Sequence, residues 1–293
     1  MTGPGDTLLD ILQLEVLEHN LFRGRSPSTS WQRVFGGQVI AQALVAAQKT
    51  VEPDRDAHSL HGYFMLPGDP QIPILYEVER LRDGGSFTTR RVTAIQHGKA
   101  IFSLEASFQV EETGLEHQAP MPLDVPGPED LLSRAELLER YGDAIPEMIA
   151  RYWKRTRPIE MKPVGMEHYI SREKLEPRQN NWVRVCETIP ADRGIQAAVL
   201  AYLSDMTLLD TSTFAHGRGL FDADIQAASL DRPRDVVPPP QRARRLAALH
   251  PGQPVLLGLA RLHPRRALCP RRHAGRIGRP GRPCPPAHAI STS

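Results

Sequence analysis

The stretch that decides the fold is "RVFGGQVIAQALVAAQKTV", residues 33–51. Its apolar side chains recur three and four residues apart, the spacing of a helix with one buried face. These side chains are Phe35, Val39, Ile40, Ala43, Leu44 and Ala47. Gly36 and Gly37 stand at the start, where a ligand or a strand can approach the backbone because no side chain intervenes. The stretch therefore predicts a buried helix around which other elements pack.

Strand patterns follow this helix. They are "HSLHGYFMLPGD" (58–69), "IPILYEVERL" (72–81), "SFTTRRVTAIQ" (86–96) and "AIFSLEASFQV" (100–110). In the last pattern, apolar residues at every second position from Phe102 to Val110 alternate with polar ones, which predicts a strand with one buried face. One helix followed by long antiparallel strands and tight turns predicts an α+β fold in which a curved sheet wraps the helix.

The second half of the chain repeats this order. Short strand patterns at 158–164 and 180–189 precede "GIQAAVLAYLSDMTLLDT", residues 194–211, which predicts a second apolar helix and a duplicated unit. Asp205 lies inside this pattern. Burying an isolated carboxylate costs several kcal/mol, so Asp205 must be hydrogen-bonded or paired. The pattern alone favours a capping or solvent-facing aspartate.

The charge of the chain is unevenly distributed. The eleven arginines after Asp235 offset a net charge of −9 on residues 1–235, which leaves +2 for the whole chain of 293 residues. The tail after Asp235 also lacks Asp, Glu, Lys, Phe, Trp, Tyr and Met. Such a composition does not supply an ordinary hydrophobic core.

Several classes of protein are disfavoured by the sequence. No stretch approaches the ~20 apolar residues of a membrane span, and the N-terminal residues do not follow the pattern of a secretion signal. We therefore expect a cytoplasmic protein without membrane insertion. The three cysteines form no CxxC pair, which argues against a disulfide framework or a zinc site. Patterns of serine hydrolases, zinc proteases and nucleotide-binding loops are absent from the sequence.

The chain resembles the acyl-CoA thioesterase II family from about Leu8 to Asp231. The similarity is carried by "FGGQVIAQAL" (35–44), "HSLHGYFMLPGD" (58–69) and "LRDGGSFTTRRVTAIQHGKAIFSLEASFQ" (81–109). The resemblance implies a double hotdog, in which two helix-wrapped antiparallel sheets are fused in one chain. It also implies hydrolysis of acyl-CoA to fatty acid and CoA, with no metal or organic cofactor, by a homo-oligomer that needs no nucleic acid.

The resemblance further implies the site. In the family an Asp, a Thr or Ser on the next strand, and a Gln near the C-terminus jointly hold the water that attacks the thioester. Asp205 matches the first position and Ser229 the second. The Gln and the last strands of the family have no counterpart in the tail, so the second hotdog is expected to be incomplete and the activity impaired.

The codons that could encode the tail offer a reason for this loss. "RDVVPPP", residues 234–240, can be encoded so that reading one base later gives AMWFHRP, a string typical of the missing family strand. The same shift permits a second family string from residues 245–256 and a third, with the Gln, from residues 276–281. We infer that the sequence from about Arg232 onward is a frame-shifted translation.

Four regions follow from these patterns. We predict an N-terminal hotdog (1–118), a helical, proline-rich linker (119–157), a truncated C-terminal hotdog (158–231) and a disordered Arg/Pro-rich tail (232–293). Two other functions stay open at this stage. The chain could be a non-catalytic acyl-CoA binder, or the tail could bind nucleic acid or an anionic membrane surface.

Overall fold

The structure is a computed structural model that describes residues 7–27, 33–112, 124–154, 158–207, 209–220, 222, 224–226, 231–235, 255–260 and 269–270. The helices are α1 (Leu8–Leu12), α2 (Gly36–Gln48), α3 (Arg134–Tyr141), α4 (Glu147–Lys154), α5 (Glu167–Ile170), α6 (Arg193–Ser204) and α7 (Thr211–Phe214). The strands are β1 (Glu15–Glu18), β2 (Leu21–Gly24), β3 (Arg55–Phe64), β4 (Ile74–Asp83), β5 (Phe87–Gln96), β6 (Lys99–Val110), β7 (Ile159–Pro163), β8 (Arg178–Val185), β9 (Ile225–Gln226), β10 (Asp231–Asp235), β11 (Val255–Ala260) and β12 (Cys269–Pro270).

The N-terminal half is a helix packed on an antiparallel sheet. The sheet runs in the order β1-β2-β4-β5-β6-β3-β10. Helix α2 packs against this sheet, and its side chains from Gln38 to Ala47 are buried. The alanines of α2 explain the tight packing, since a side chain that ends at Cβ lets the strands approach closely. The predicted α+β arrangement is confirmed here.

The second half contains a smaller sheet in the order β11-β8-β7 and a second buried helix, α6. Residues of α2 and α6 belong to one continuous hydrophobic core, together with Val183 and Val185 of β8. The two helices therefore pack against each other within one core, and α6 also contacts β3 of the first sheet.

The predicted linker contains helices α3 and α4. Helix α3 begins with a capping box, in which the Glu136 backbone N–H donates to Ser133 Oγ (3.3 Å) and the Ser133 N–H donates to Glu136 Oε2 (2.6 Å). The two helices form a separate apolar cluster that includes Leu137, Ile149 and Trp153.

The tail is described only in part. Strand β10 pairs with β3, β11 pairs with β8, and β12 pairs with β9, so three short strands lie at or beyond the predicted start of the tail. The rest of residues 232–293 lies outside the described residues, and the four predicted regions stay a prediction.

Candidate active site

Helices α2 and α6 run antiparallel across the centre of the molecule. At one end, Nε2 of Gln48 in α2 donates to the carbonyl oxygen of Gly194 in α6 (3.1 Å). At the other end, a Cβ built on Gly37 would lie 2.4 Å from the carbonyl oxygen of Tyr202. The end of α6 is therefore in close contact with the start of α2, which only a residue without a side chain allows at this position.

Asp205 lies at this junction. A Cβ built on Gly36 would lie 2.6 Å from Oδ2 of Asp205 and 2.8 Å from Cζ of Phe64. The carboxylate thus lies directly beside the first turn of α2. Phe35 occupies the N-cap of α2 and provides no side-chain hydrogen bond. Since the first N–H groups of a helix have no partner within it and carry partial positive charge, this junction suits a negative charge.

Helix α6 is shorter than its apolar pattern predicts. It ends at Ser204, and Asp205 is its C-cap rather than an internal residue. The Met206 N–H bonds to the carbonyl of Leu203 (3.0 Å) in a tightened last turn, and Thr207 then has a left-handed φ of 58°. Asp205 thus takes the capping position that the pattern alone favours, and the helix is shorter than predicted because apolar periodicity continues past the point where the backbone turns.

Aromatic side chains form an apolar surface beside the carboxylate. The rings of Phe35 and Tyr202 lie with centroids 5.0 Å apart, and those of Phe64 and Phe102 lie 4.7 Å apart. Phe35 is 36% exposed, so part of this surface is open. An apolar surface next to a carboxylate fits a substrate that has an apolar chain near its reacting group.

The second predicted site residue, Ser229, lies outside the described residues. Its assignment, like the catalytic role of Asp205, stays a prediction. Within the part of the chain that the structure describes, no group of three or more His, Cys, Asp or Glu side chains could hold a metal ion. In that same part, no helix is long and apolar enough to cross a membrane.

A second carboxylate, Asp210, follows five residues after Asp205 and precedes α7. It is half-buried, and burial raises the pKa of its carboxyl group to about 7. The sequence shows both aspartates in one apolar stretch and gives no means of telling their surroundings apart.

Buried amides on β8 were also missed from the sequence. Gln179 and Asn181 are 5% and 0% exposed and lie on the face of β8 that also carries the buried Val183 and Val185. Asn181 Nδ2 donates to Thr207 Oγ1 (3.2 Å). The period-two pattern of "RQNNWVRV" already places these four side chains on one face, and could have identified the two amides as polar groups in a core.

A cavity of about 530 Å³ lies where α3 and α4 meet β7. Leu137, Trp153, Met161 and Met206 contribute apolar wall, and Arg134 and Lys154 contribute cationic groups. Met206 is the neighbour of Asp205, so the cavity extends from the residue next to the candidate carboxylate.

Comparisons with known proteins agree across both halves. Residues 25–109 match the family model described as "Acyl-CoA thioesterase N-terminal domain", and residues 154–233 match the one described as "Acyl-CoA thioesterase". The chain is 38% identical to acyl-CoA thioesterase 2 of Haemophilus influenzae over 226 residues, which cover 77% of this chain and 79% of the relative. It is 42% identical to acyl-coenzyme A thioesterase 8 of Homo sapiens, over 73% of this chain and 70% of the relative.

Solved structures give the same result for the fold. An acyl-CoA thioesterase II, TesB2, from Mycobacterium marinum superposes with a TM-score of 0.58 at 40% identity, over 75% of this chain and 76% of that one. A protein of unknown function with a hot dog fold from Alicyclobacillus acidocaldarius superposes with a TM-score of 0.57 at 17% identity, over 75% of this chain and 74% of that one. The second likeness concerns the fold alone.

Proposed function

This chain belongs to the acyl-CoA thioesterase II family, whose hotdog-fold members hydrolyse acyl-CoA thioesters. We propose that its reaction takes place at the junction of α2 and α6. Asp205 is the proposed general base. The observation that carries this assignment is the 2.6 Å approach of its Oδ2 to the Cβ position of Gly36, which places a carboxylate beside the positive end of a helix.

The proposed chemistry is direct attack by water. Asp205 accepts a proton from water as the water oxygen bonds to the thioester carbonyl carbon. The resulting tetrahedral intermediate breaks its C–S bond and expels the CoA thiolate, which takes up the proton held by Asp205. The products are the free fatty acid and the CoA thiol. A thioester is already electrophilic, so a water held and deprotonated in place needs no covalent enzyme intermediate.

The first turn of α2 supplies the second element of this mechanism. The N–H groups of Gly36 and Gly37 come before the first hydrogen bonds of the helix, whereas that of Gln38 donates to the carbonyl of Phe35 (3.1 Å), and Phe35 offers no side-chain cap. Such N–H groups stabilise the negative charge that develops on the carbonyl oxygen in the transition state. Glycine at Gly36 keeps this approach open, since any side chain there would meet Asp205 and Phe64.

Ser229 is the proposed hydroxyl that orients the water, and the Gln of the family is the partner that this sequence lacks. We propose that the activity of the chain is impaired for this reason. The match to the second family model ends at residue 233, which supports a change of reading frame near Arg232. Under this proposal the last strands of the second hotdog are encoded but read out of frame.

We propose assembly as a homo-oligomer, in the cytoplasm. The outer end of β3 and the residues after it expose large apolar side chains, with Tyr63 51%, Met65 47% and Leu66 46% exposed. Adjacent exposed apolar residues of this kind are typical of surfaces that another subunit covers.

Release of CoA thiol from a medium-chain acyl-CoA, followed with a thiol reagent, tests the proposed function. The chain is expected to release thiol slowly and in a catalytic, enzyme-dependent manner. Acyl-CoA binding measured by calorimetry without any thiol release would instead favour the non-catalytic binder. Absence of both binding and release would contradict the proposed site.

A further inference from the structure

The turn that follows Asp205 contains a backbone conformation that its residue type avoids. Thr207 has a φ of 58°. A β-branched residue in the left-handed region is a true outlier, because its branched Cβ crowds the following backbone. Such strain costs about 1–3 kcal/mol and persists only where surrounding contacts hold it, which is most often at functional sites.

The contact that holds Thr207 comes from the neighbouring sheet. Asn181 Nδ2 donates to Thr207 Oγ1 at 3.2 Å. Asn181 is 0% exposed and lies in the middle of β8, which pairs with β7 on one side and β11 on the other. Its pairing with β7, which lies outside the tail, holds β8 in place, so the amide ties the hydroxyl of Thr207 to the sheet.

A stabilising role does not explain why an amide occupies position 181. Its Oδ1 is buried and has no hydrogen-bond partner among the described residues. A buried polar atom without a partner costs about 1–3 kcal/mol, whereas a leucine of similar volume would avoid that cost. The position thus carries a polar group that costs stability and is bonded to the turn of the proposed general base.

We propose that Asn181 is a positioning residue for acyl-CoA hydrolysis, and that it acts through Thr207. The hydrogen bond ties the left-handed turn at Thr207 to β8, and this tie, which needs both the amide and the hydroxyl, fixes the position of the chain where it leaves α6 at Asp205. The carboxylate is thereby aimed at the first turn of α2. The inference rests on the proposed function of Asp205 and assigns Asn181 no contact with substrate.

Four substitutions separate positioning from a structural role. Asn181→Leu removes the amide, and Thr207→Gly removes the hydroxyl while relieving the left-handed strain, so this variant is expected to fold at least as well as the parent chain. Thr207→Ser keeps the hydroxyl and is the rescue variant. Asn180→Leu is the matched control, because Asn180 is the adjacent amide on the opposite face of β8.

The kinetic readout is thiol release by the full chain at saturating and limiting acyl-CoA. We expect kcat to fall about tenfold to 100-fold for Asn181→Leu and Thr207→Gly, with KM within about twofold, since a displaced general base affects the chemical step. Thr207→Ser and Asn180→Leu should retain the parent kcat. Unchanged kcat in both Asn181→Leu and Thr207→Gly would overturn the inference, even if their melting temperatures change.

A second readout does not depend on turnover. In the chain labelled with ¹³C at aspartate carboxyl groups, Asp205→Asn assigns the Asp205 resonance. The positioning role predicts that Asn181→Leu and Thr207→Gly move this resonance or its titration midpoint, while Asn180→Leu does not. If the parent chain releases no thiol, the proposed function fails, and this spectrum still decides whether Asn181 positions the Asp205 carboxylate. An unmoved Asp205 resonance in both variants would refute it.

Discussion

At the scale of single residues, two carboxylates of similar sequence context have different surroundings. Asp205 lies beside the first turn of α2, against Gly36 and Phe64. Asp210 is half-buried ahead of α7, and burial raises its pKa to about 7. We therefore expect Asp210 to affect stability, whereas Asp205 is the proposed general base.

The raised pKa of Asp210 makes stability depend on pH. Between about pH 4 and pH 7 the folded chain keeps the Asp210 proton and the unfolded chain loses it, so the free energy of unfolding falls as pH rises through this window. Asp210→Asn should remove this loss and raise the free energy of unfolding at pH 8 by roughly 1–3 kcal/mol.

Urea unfolding of both proteins at pH 4 and pH 8 measures this effect. The advantage of Asp210→Asn should be present at pH 8 and small at pH 4. An advantage of equal size at both pH values would show that the effect does not come from ionisation of Asp210.

The sequence identifies Asp205 only with the help of family resemblance. Its apolar neighbours predict a helix through Met206 and Leu209, but the helix ends at Ser204. Thr207, which has a left-handed φ, accepts a hydrogen bond from Asn181, 26 residues earlier in the chain, and local patterns do not reveal such a contact. The immediate surroundings of the carboxylate were therefore not predictable from the residues around it.

At the scale of elements, the packing of α2 against α6 builds the site. The two glycines at the start of α2 were expected to allow a close approach, and the structure shows what approaches: the backbone of Tyr202 at Gly37, and the side chains of Asp205 and Phe64 at Gly36. In β6 the predicted alternation is confirmed from Phe102 to Phe108, since Phe102, Leu104, Ala106 and Phe108 are buried, whereas Val110 at the strand end is half-buried. Period and spacing predict single elements well, whereas contacts between the two helices depend on tertiary packing.

Gly36→Ala tests the junction of these helices. The new Cβ would lie 2.6 Å from Asp205 Oδ2 and 2.8 Å from the Phe64 ring. Both are ends of side chains that can move, so the chain should fold, but the carboxylate must leave its position. We expect thiol release to fall on the order of tenfold to 100-fold.

Gly85→Ala is the matched control, because a Cβ built there meets nothing within 4 Å. Thermal unfolding followed by circular dichroism should show both variants folded. A Gly36→Ala chain as active as Gly85→Ala would argue against a reacting group at this junction.

At the scale of the whole molecule, we propose that the tail takes the place of the strands that the second hotdog lacks. Deleting one base of the gene near the codon for Arg232 should restore the family reading frame, and with it the missing strands and the Gln. Thiol release should then rise by at least about tenfold, because the Gln gives the attacking water its third protein partner besides Asp205 and Ser229. The melting temperature should rise as well, since completed strands cover apolar area that is otherwise open to water.

The parent chain and the frame-restored chain, purified side by side, provide the comparison, and sequencing the gene across these codons shows which frame is natural. Equal activity and equal stability in the two proteins would contradict the proposed loss. Codon degeneracy means that the amino-acid sequence permits the frame-shifted interpretation, and most of the tail lies outside the described residues. The nucleotide sequence therefore decides which frame is natural.

The most direct measurement is thiol release from a medium-chain acyl-CoA by the parent chain, Asp205→Asn and Asp210→Asn under identical conditions. Asp205→Asn lacks the general base, so its rate of thiol release is expected to be lower by about 100-fold or more, which for a slow parent chain means the uncatalysed rate. Asp210→Asn should retain the parent rate. This result would support a water activated by Asp205 at the junction of α2 and α6. An Asp205→Asn chain that keeps the parent rate would contradict the account.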